Sequence, residues 1–249
     1  MSGARKSRRA AILAEMGLAP VWRLRARGAG SAAQESGAAR TKSDTVAEHS
    51  AASGSPAERE AAIMRMDWDA LKRAVPACTA CELHKTRTQT VLGVGDERAE
   101  WLLVGEAPGA EEDRLGEPFV GQAGKLLDAM LAAIDLKRGE NVYIANVLKC
   151  RPPGNRNPEA HEVAQCSPFL LRQIGLIRPK LIVAMGRFAA QTLLNSDASI
   201  ASLRGTVHRF AGVPLIVTYH PAYLLRNLPD KAKAWHDLLF ARRTMRSLK

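Results

Sequence analysis

The sequence has no long run of apolar residues, because no stretch approaches the roughly 18 consecutive apolar residues that a membrane-spanning helix requires. It also lacks a recognisable secretory signal. The apolar stretch behind the basic cluster at residues 5–9 is short, is interrupted by Glu15 and precedes no credible cleavage site. We therefore expect a soluble, cytoplasmic protein without membrane association.

Cysteine is scarce as well, with four residues among 249. In a chain without an export signal, such thiols bind metal or carry out chemistry more often than they form structural disulfides. Two residues separate Cys78 from Cys81, and fifteen separate Cys150 from Cys166. These spacings predict one metal centre with four thiolate ligands, and spacing alone does not distinguish a zinc site from a [4Fe-4S] cluster.

Acidic residues are in the minority, with 25 against 36 basic residues, so the formal net charge is +11. Such a charge suits a polyanionic partner such as nucleic acid, but it is also common in proteins that merely stay soluble. Residues 1–60 hold ten basic and six acidic residues, a net charge of +4, which leaves +7 on the remainder. We expect the folded part to be basic in its own right.

Large apolar side chains are nearly absent from residues 28–57, which are rich in Ala, Ser and Gly. Such a segment cannot bury enough surface to offset the entropy lost on ordering. We therefore predict a short N-terminal segment at residues 1–27, a flexible linker at residues 28–60 and a folded domain at residues 67–247. The N-terminal extension is expected to be disordered.

Short apolar runs bounded by turn residues predict four buried parallel strands, at residues 101–104, 142–145, 181–184 and 215–218. Apolar residues at helical spacing predict helices at residues 124–134, 158–177, 187–194 and 230–247. Strands that alternate with helices favour an α/β fold. We predict a three-layer α/β/α sandwich around a mainly parallel, four-stranded sheet.

Polar side chains follow the predicted strands at the sheet edge where parallel sheets bind ligands. The first strand is followed by four carboxylates, Glu106, Glu111, Glu112 and Asp113, any of which is a candidate. Asn146 follows the second strand and His220 the last, while Phe119 lies in a glycine-rich turn. Each alone is more often structural than functional. Together they offer a carboxylate for water, an amide for a pyrimidine edge, a ring for stacking and a donor for a leaving base. These are the requirements for hydrolysis of an N-glycosidic bond.

These motifs, in this order, closely resemble the family 4 uracil-DNA glycosylases, the iron-sulfur members of the uracil glycosylase superfamily. The matching segments lie at residues 78–81, 105–113, 118–121, 146–153, 166, 185–186 and 220–223, and they extend over roughly residues 67–247. The resemblance implies that the four cysteines hold a [4Fe-4S] cluster. It also implies that Phe119 stacks on uracil, that Asn146 reads it and that His220 stabilises its O2 atom.

By the same resemblance, the loop after the first strand contributes Glu106 and Glu112 to catalysis and Ala107 to substrate binding. The resemblance does not settle which glutamate positions the water. A related subfamily becomes covalently trapped on DNA through a histidine in a basic insertion. Residues 151–162 lack that insertion, and His161 lies in a helical context instead. We therefore expect turnover rather than trapping.

The residues after His220 suggest how DNA is held. Leu224 and Leu225 precede Arg226. An apolar pair beside a cation suits a wedge that fills the gap left by a flipped nucleotide while the arginine contacts a phosphate. We therefore predict that all three residues contact DNA.

The predicted activity is excision of uracil from single- and double-stranded DNA by base flipping, which initiates base excision repair. Two alternatives remain open. One is a glycosylase that also accepts other deaminated bases. The other is a non-catalytic iron-sulfur module that binds DNA or a polymerase, although such a module would not need Glu106, Phe119, Asn146 and His220 together.

Residues 8–25 resemble the start of the psi subunit of the bacterial polymerase III clamp loader, the peptide that docks onto the chi subunit. A short apolar segment with Trp22 on a flexible tether fits a partner-binding anchor. The alternative is an extension without a partner. Besides uracil-containing DNA, we therefore expect chi or another replisome protein as partner of a monomeric, nucleoid-associated bacterial enzyme.

Overall fold

The computed structural model describes residues 55–248. The predicted docking segment at residues 1–27, most of the predicted linker and the prediction of a disordered extension lie outside the described residues. None of the helices from residue 55 to residue 248 is both long enough and apolar enough to cross a membrane.

A central sheet forms the middle layer of the fold, with strand order β1-β3-β2-β4-β6-β5. The strands are β1 (Val94–Gly95), β2 (Trp101–Gly105), β3 (Val142–Asn146), β4 (Leu181–Met185), β5 (His208–Phe210) and β6 (Val213–Thr218). β2 pairs in parallel with β3 and β4, and β4 pairs in parallel with β6. These are the four strands that the apolar runs predict.

The predicted strand number was wrong, because the sheet has six strands in the described part of the chain. β1 and β5 add one antiparallel strand at each edge. They are two and three residues long, and their side chains are half-buried or exposed. Edge strands of this length carry no continuous apolar run, so hydrophobic pattern alone does not reveal them.

Helices connect the strands and cover both faces of the sheet. In chain order they are α1 (Pro56–Met64), α2 (Trp68–Ala74), α3 (Ala110–Leu115), α4 (Gln122–Ala132), α5 (Ala160–Ile177), α6 (Arg187–Leu194), α7 (Ile200–Leu203), α8 (Pro221–Arg226) and α9 (Lys231–Ser247). Short 3-10 turns lie at Glu82–Lys85, Pro153–Asn155 and Leu228–Asp230.

Alternate side chains of each central strand point to opposite faces of the sheet. On one face Leu102 and Val104 belong to a core that includes residues of α5, α6 and α7. On the other, Trp101 and Leu103 belong to a core with residues of α4 and α9. Two apolar cores on one sheet make the three-layer sandwich that the sequence predicts.

The folded unit begins earlier than the predicted domain boundary at residue 67. Helix α1 starts directly after Ser55, whose hydroxyl accepts from the backbone of Glu58 while the Glu58 carboxylate accepts from the backbone of Ser55. This capping box, followed by a proline at the first helical position, marks a helix start. Residues 56–60 are therefore helical and do not belong to the predicted linker.

Candidate active site

The carboxyl ends of β2 and β3 bring a ring and an amide together. Gly105 and Asn146 are register partners in the parallel pair. A Cβ atom at Gly105 would lie 2.4 Å from Oδ1 of Asn146 and 2.7 Å from Cζ of Phe119. A side chain at position 105 would therefore displace the Asn146 amide or the Phe119 ring.

The side-chain amide of Asn146 lies buried at the bottom of this site. The residue is 2% exposed, and its Oδ1 atom has no hydrogen-bond partner among residues 55–248. A buried acceptor without a donor costs about 1–3 kcal/mol, so such groups are rare unless they serve a ligand. The Asn146 oxygen is thus free to accept a hydrogen bond from a bound molecule.

The turn that carries Phe119 is held in a strained backbone conformation. Phe119 has a φ angle of +56°, in the left-handed region. Arg138 donates to the carbonyl oxygens of Pro118 and Phe119, at 3.0 and 2.9 Å, and forms an ion pair with Asp128 at 2.9 Å. This role of Arg138 could not be predicted from the sequence, because no local signal connects a loop arginine to a turn 19 residues earlier.

His220 faces the ring of Phe119, with ring centroids 5.4 Å apart and 30° between the planes. Its Nδ1 atom accepts from the backbone N–H of Ala222 at 3.1 Å, so the neutral ring carries its proton on Nε2. Burial, aided by the charge of Arg226, lowers the pKa of His220 to about 4, although Glu112 opposes this shift. His220 is therefore a neutral donor at physiological pH.

A glycine gives His220 the space it occupies. Gly186 has a φ angle of +92°, which disfavours other residues, and a Cβ atom there would lie 2.8 Å from Cβ of His220. The end of β4 thus contributes to the site through the absence of a side chain.

The two candidate glutamates have different surroundings. Oε1 of Glu112 accepts from the backbone N–H groups of Val120 and Gly121, at 3.0 and 3.3 Å, so this carboxylate braces the turn beside Phe119. Glu106 is half-buried, and no hydrogen bond to its carboxylate lies in the described part of the chain. Burial raises the pKa of Glu106, although the charge of Arg187 opposes this shift.

The four cysteines meet at one cavity, which they line together with Arg87 and Lys149. Arg59 and Arg87 point N–H groups at the sulfur atoms of Cys78 and Cys150, at 3.5 and 3.1 Å. The backbone N–H of Lys149 points at the sulfur of Cys166, at 3.2 Å. N–H donors around cysteine sulfurs are typical of the surroundings of metal-bound thiolates.

Burial raises the pKa of Cys166 to about 12, although Lys149 opposes this shift. Burial also lowers the pKa of Lys149 to about 8, while Cys166 and Cys150 oppose that shift. A bound metal cation would supply the charge that keeps such a buried thiol deprotonated. The cavity and its donors therefore fit a thiolate-bound metal centre.

Ala107 packs against the apolar residues around this centre.

The structure corrects one of the three residues predicted to contact DNA. Leu224 is 1% exposed and packs in a core with residues of α4 and α9. Its neighbour Leu225 is 40% exposed, and Arg226 is exposed as well. Successive residues of a helix point about 100° apart, so only one leucine of the pair faces the surface. We assign Leu224 to packing and keep Leu225 and Arg226 as candidates for DNA contact.

This difference gives a matched pair of variants. We expect Leu225→Ala to reduce activity on duplex DNA by about tenfold and to leave single-stranded DNA nearly unaffected, because only a duplex has a stack to be opened. Leu224→Ala should instead lower the free energy of unfolding by about 2–5 kcal/mol. Initial rates on both substrates and thermal unfolding measure these effects. Equal losses on both substrates for Leu225→Ala would assign Leu225 to packing as well.

An α/β sandwich whose strand ends bring together an aromatic ring, an amide, a neutral histidine and a carboxylate has groups suited to binding a planar polar ring. The sequence pattern of the uracil DNA glycosylase superfamily matches residues 92–239. The chain belongs to this superfamily, and within it to the type-4 enzymes, as the following similarities show.

Three relatives are named type-4 uracil-DNA glycosylases. The protein from Archaeoglobus fulgidus is 51% identical over 165 residues, which cover 63% of this chain and 82% of the relative. The protein from Pyrobaculum aerophilum is 44% identical over 181 residues, which cover 70% of this chain and 92% of the relative. The protein from Thermotoga maritima is 46% identical over 161 residues, which cover 64% of this chain and 83% of the relative.

Proposed function

We propose that this protein hydrolyses the N-glycosidic bond of uracil in single- and double-stranded DNA and so initiates base excision repair in the cytoplasm. The observation that carries the proposal is the buried Oδ1 atom of Asn146, which lacks a donor among the described residues. Uracil carries a hydrogen on N3 and donates to such an oxygen, whereas cytosine has no hydrogen on N3. The site therefore favours uracil over cytosine, the base from which uracil forms by deamination.

The other residues divide the work of the reaction. Phe119 stacks on the extruded base. His220 donates from Nε2 to the uracil O2 atom, where negative charge develops as the base leaves. Glu106 is the base that orients water toward the sugar, because Glu112 is engaged with the backbone of the neighbouring turn. Ala107 belongs to the loop that borders the base.

A panel of bases tests this proposal against its two alternatives. The same oligonucleotide is prepared with uracil, thymine, cytosine, hypoxanthine or xanthine at one position, and base release is followed in time. We expect excision of uracil alone. Comparable release of hypoxanthine or xanthine would support the broader glycosylase, and binding to all oligonucleotides without any release would support the non-catalytic module.

We further propose that Cys78, Cys81, Cys150 and Cys166 hold a [4Fe-4S] cluster. The cavity that the four cysteines share and the donors from Arg59, Arg87 and the backbone of Lys149 support this assignment. Such a cluster supplies structural bracing to the segment that connects Asn146 with Cys150.

The cluster makes a direct prediction about the purified protein. We expect a brown protein with broad absorbance near 400 nm and about four iron atoms per chain. Metal analysis and visible spectroscopy measure this, and stoichiometric zinc without visible absorbance would contradict it. Cys150→Ser should lower both iron content and activity.

We propose that the N-terminal segment recruits the monomeric enzyme to replication without taking part in the chemistry. All candidate site residues lie at or after residue 78, whereas the segment that resembles psi lies at residues 8–25. A chain that starts at Ser55 keeps the capping box of α1 and should excise uracil from short oligonucleotides at nearly the full-length rate. The peptide of residues 7–27 should bind chi.

Pull-down of chi with the full-length protein and with Trp22→Ala measures the docking. We expect chi to be retained by the former and lost from the latter. Loss of excision on truncation, or equal retention of chi by both proteins, would reject this role for the segment.

A further inference from the structure

Lys149 is a buried cation between the base-reading amide and the cysteine centre. Its side chain is 1% exposed. Its Nζ atom donates to the backbone oxygen of Asn146 at 2.8 Å and to Oε1 of Gln173 at 2.6 Å. Both partners are neutral, and Lys149 forms no ion pair with a carboxylate among residues 55–248. Burial of an ammonium group without an anion carries a large desolvation cost, so a nearby negative charge is required.

The cysteine centre, with a cluster bound, would supply that charge. Lys149 lies next to Cys150 in the chain, lines the cavity of the four cysteines, and donates from its backbone N–H to the sulfur of Cys166. Four thiolates around a cluster core with two positive charges leave a net charge of about −2. Arg87 contacts this centre from a partly buried position, whereas Lys149 is almost fully enclosed.

The contact with Asn146 links this charge to the base-binding site. The backbone oxygen that Lys149 holds belongs to the residue whose side-chain oxygen is free for a ligand. A displacement of about 1 Å in a positioning group can cost about 100-fold in rate. The hydrogen bond from Nζ holds the backbone of Asn146 at the end of β3, and it thereby limits the movement of the side-chain amide that the same residue carries.

We propose that Lys149 is a positioning residue that acts as the counter-ion of the cysteine-bound cluster and at the same time holds Asn146 in its base-reading position. The positioning role rests on the proposed function and is measured by kcat. The counter-ion role rests on the cluster and is measured by its reduction potential.

The experiment compares Lys149→Met, Lys149→Gln and an exposed control, Lys125→Met, in the full-length protein. Each variant is assayed for iron content, for the reduction potential of the cluster, for thermal unfolding and for kcat and KM on a uracil oligonucleotide. Lys149→Met removes both the charge and the donor. Lys149→Gln removes the charge but keeps an N–H donor that reaches toward the Asn146 oxygen.

We expect both Lys149 variants to shift the reduction potential to more negative values by a similar amount, because a positive charge that favours the reduced cluster is lost. Lys149→Met should also lower kcat about 10- to 100-fold with little change in KM, and Lys149→Gln should recover most of this loss. Lys125→Met should behave as the unmodified protein.

An unchanged potential in both Lys149 variants would overturn the counter-ion role, whether or not the protein excises uracil. An unchanged kcat in Lys149→Met, in a protein that does excise uracil, would overturn the positioning role alone. If Lys149→Met does not fold, Lys149→Gln decides: a wild-type potential overturns the proposal, and a negative shift with nearly normal kcat supports it.

Discussion

Replacement of Asn146 by aspartate is expected to lower the rate of uracil excision about 100- to 1,000-fold. An ionised carboxylate at this buried position cannot donate to the O4 atom of uracil and repels it, and an unpaired buried group alone costs about 1–3 kcal/mol. A protonated carboxyl group donates to N3 of cytosine and accepts from its N4 amine. We therefore expect slow but measurable release of cytosine from the same variant.

Single-turnover rates on oligonucleotides with uracil or cytosine at one position measure both effects. Asn195→Asp is the matched control, because Asn195 is an exposed residue at the end of α6, and it should retain the unmodified rate. An unchanged rate on uracil for Asn146→Asp would remove Asn146 from the base pocket.

The second large effect concerns the two glutamates. Glu106→Gln should lower the single-turnover rate about 100- to 10,000-fold, because glutamine cannot accept a proton from water. Glu112→Gln keeps an amide oxygen that accepts from the backbone of Val120 and Gly121, so its rate should stay within about tenfold of the unmodified enzyme. The reverse order of effects would assign the water to Glu112.

The pH dependence of the rate checks the same assignment. Glu106 must be ionised to act as a base, and burial raises its pKa, so the rate should fall as the pH drops through this raised value. Glu106→Gln should lose this decrease. His220 stays neutral down to about pH 4 and should add no decrease near its ordinary pKa of 6.5. A decrease that persists in Glu106→Gln would have to come from another group.

Protonation of His220 also connects pH with stability. Its pKa in the folded state lies below the ordinary value of 6.5, so the unfolded chain binds more protons between about pH 6.5 and pH 4. This group therefore lowers the stability of the fold as the pH falls through that window, and it has no effect on stability above it.

The central strands could be predicted because burial on both faces leaves a continuous apolar run. The predicted runs at residues 101–104 and 142–145 each end within one residue of the observed strands. The edge strand β5 could not be predicted, because its three residues, two half-buried and one exposed, form a sheet edge without any apolar pattern. The sequence therefore reveals buried strands clearly, whereas it does not reveal short strands at the edge of the sheet.

The boundary of the folded unit illustrates a different limit. Composition over a long window extended the linker to residue 60, whereas a capping box of four residues starts α1 at Pro56. Local hydrogen-bond chemistry here outweighs the average composition of the window.

In the candidate site, too, local sequence pattern predicts some residues and the tertiary fold determines the others. Phe119, Asn146 and His220 could be chosen from sequence because polar and aromatic residues follow strand ends, and the structure brings them together. The supporting contacts of Arg138 and Lys149 could not be predicted, because they join residues that only the tertiary fold makes neighbours. The distinction between Leu224 and Leu225 likewise depends on packing.

The most direct test of the account measures base release by the unmodified protein. An end-labelled oligonucleotide with a single uracil is incubated with the iron-loaded enzyme and then treated with alkali, which cleaves the chain at an abasic site. We expect strand cleavage at the uracil position only, on single- and double-stranded substrates, together with free uracil in the supernatant. An intact oligonucleotide after incubation with folded, iron-loaded protein would contradict it.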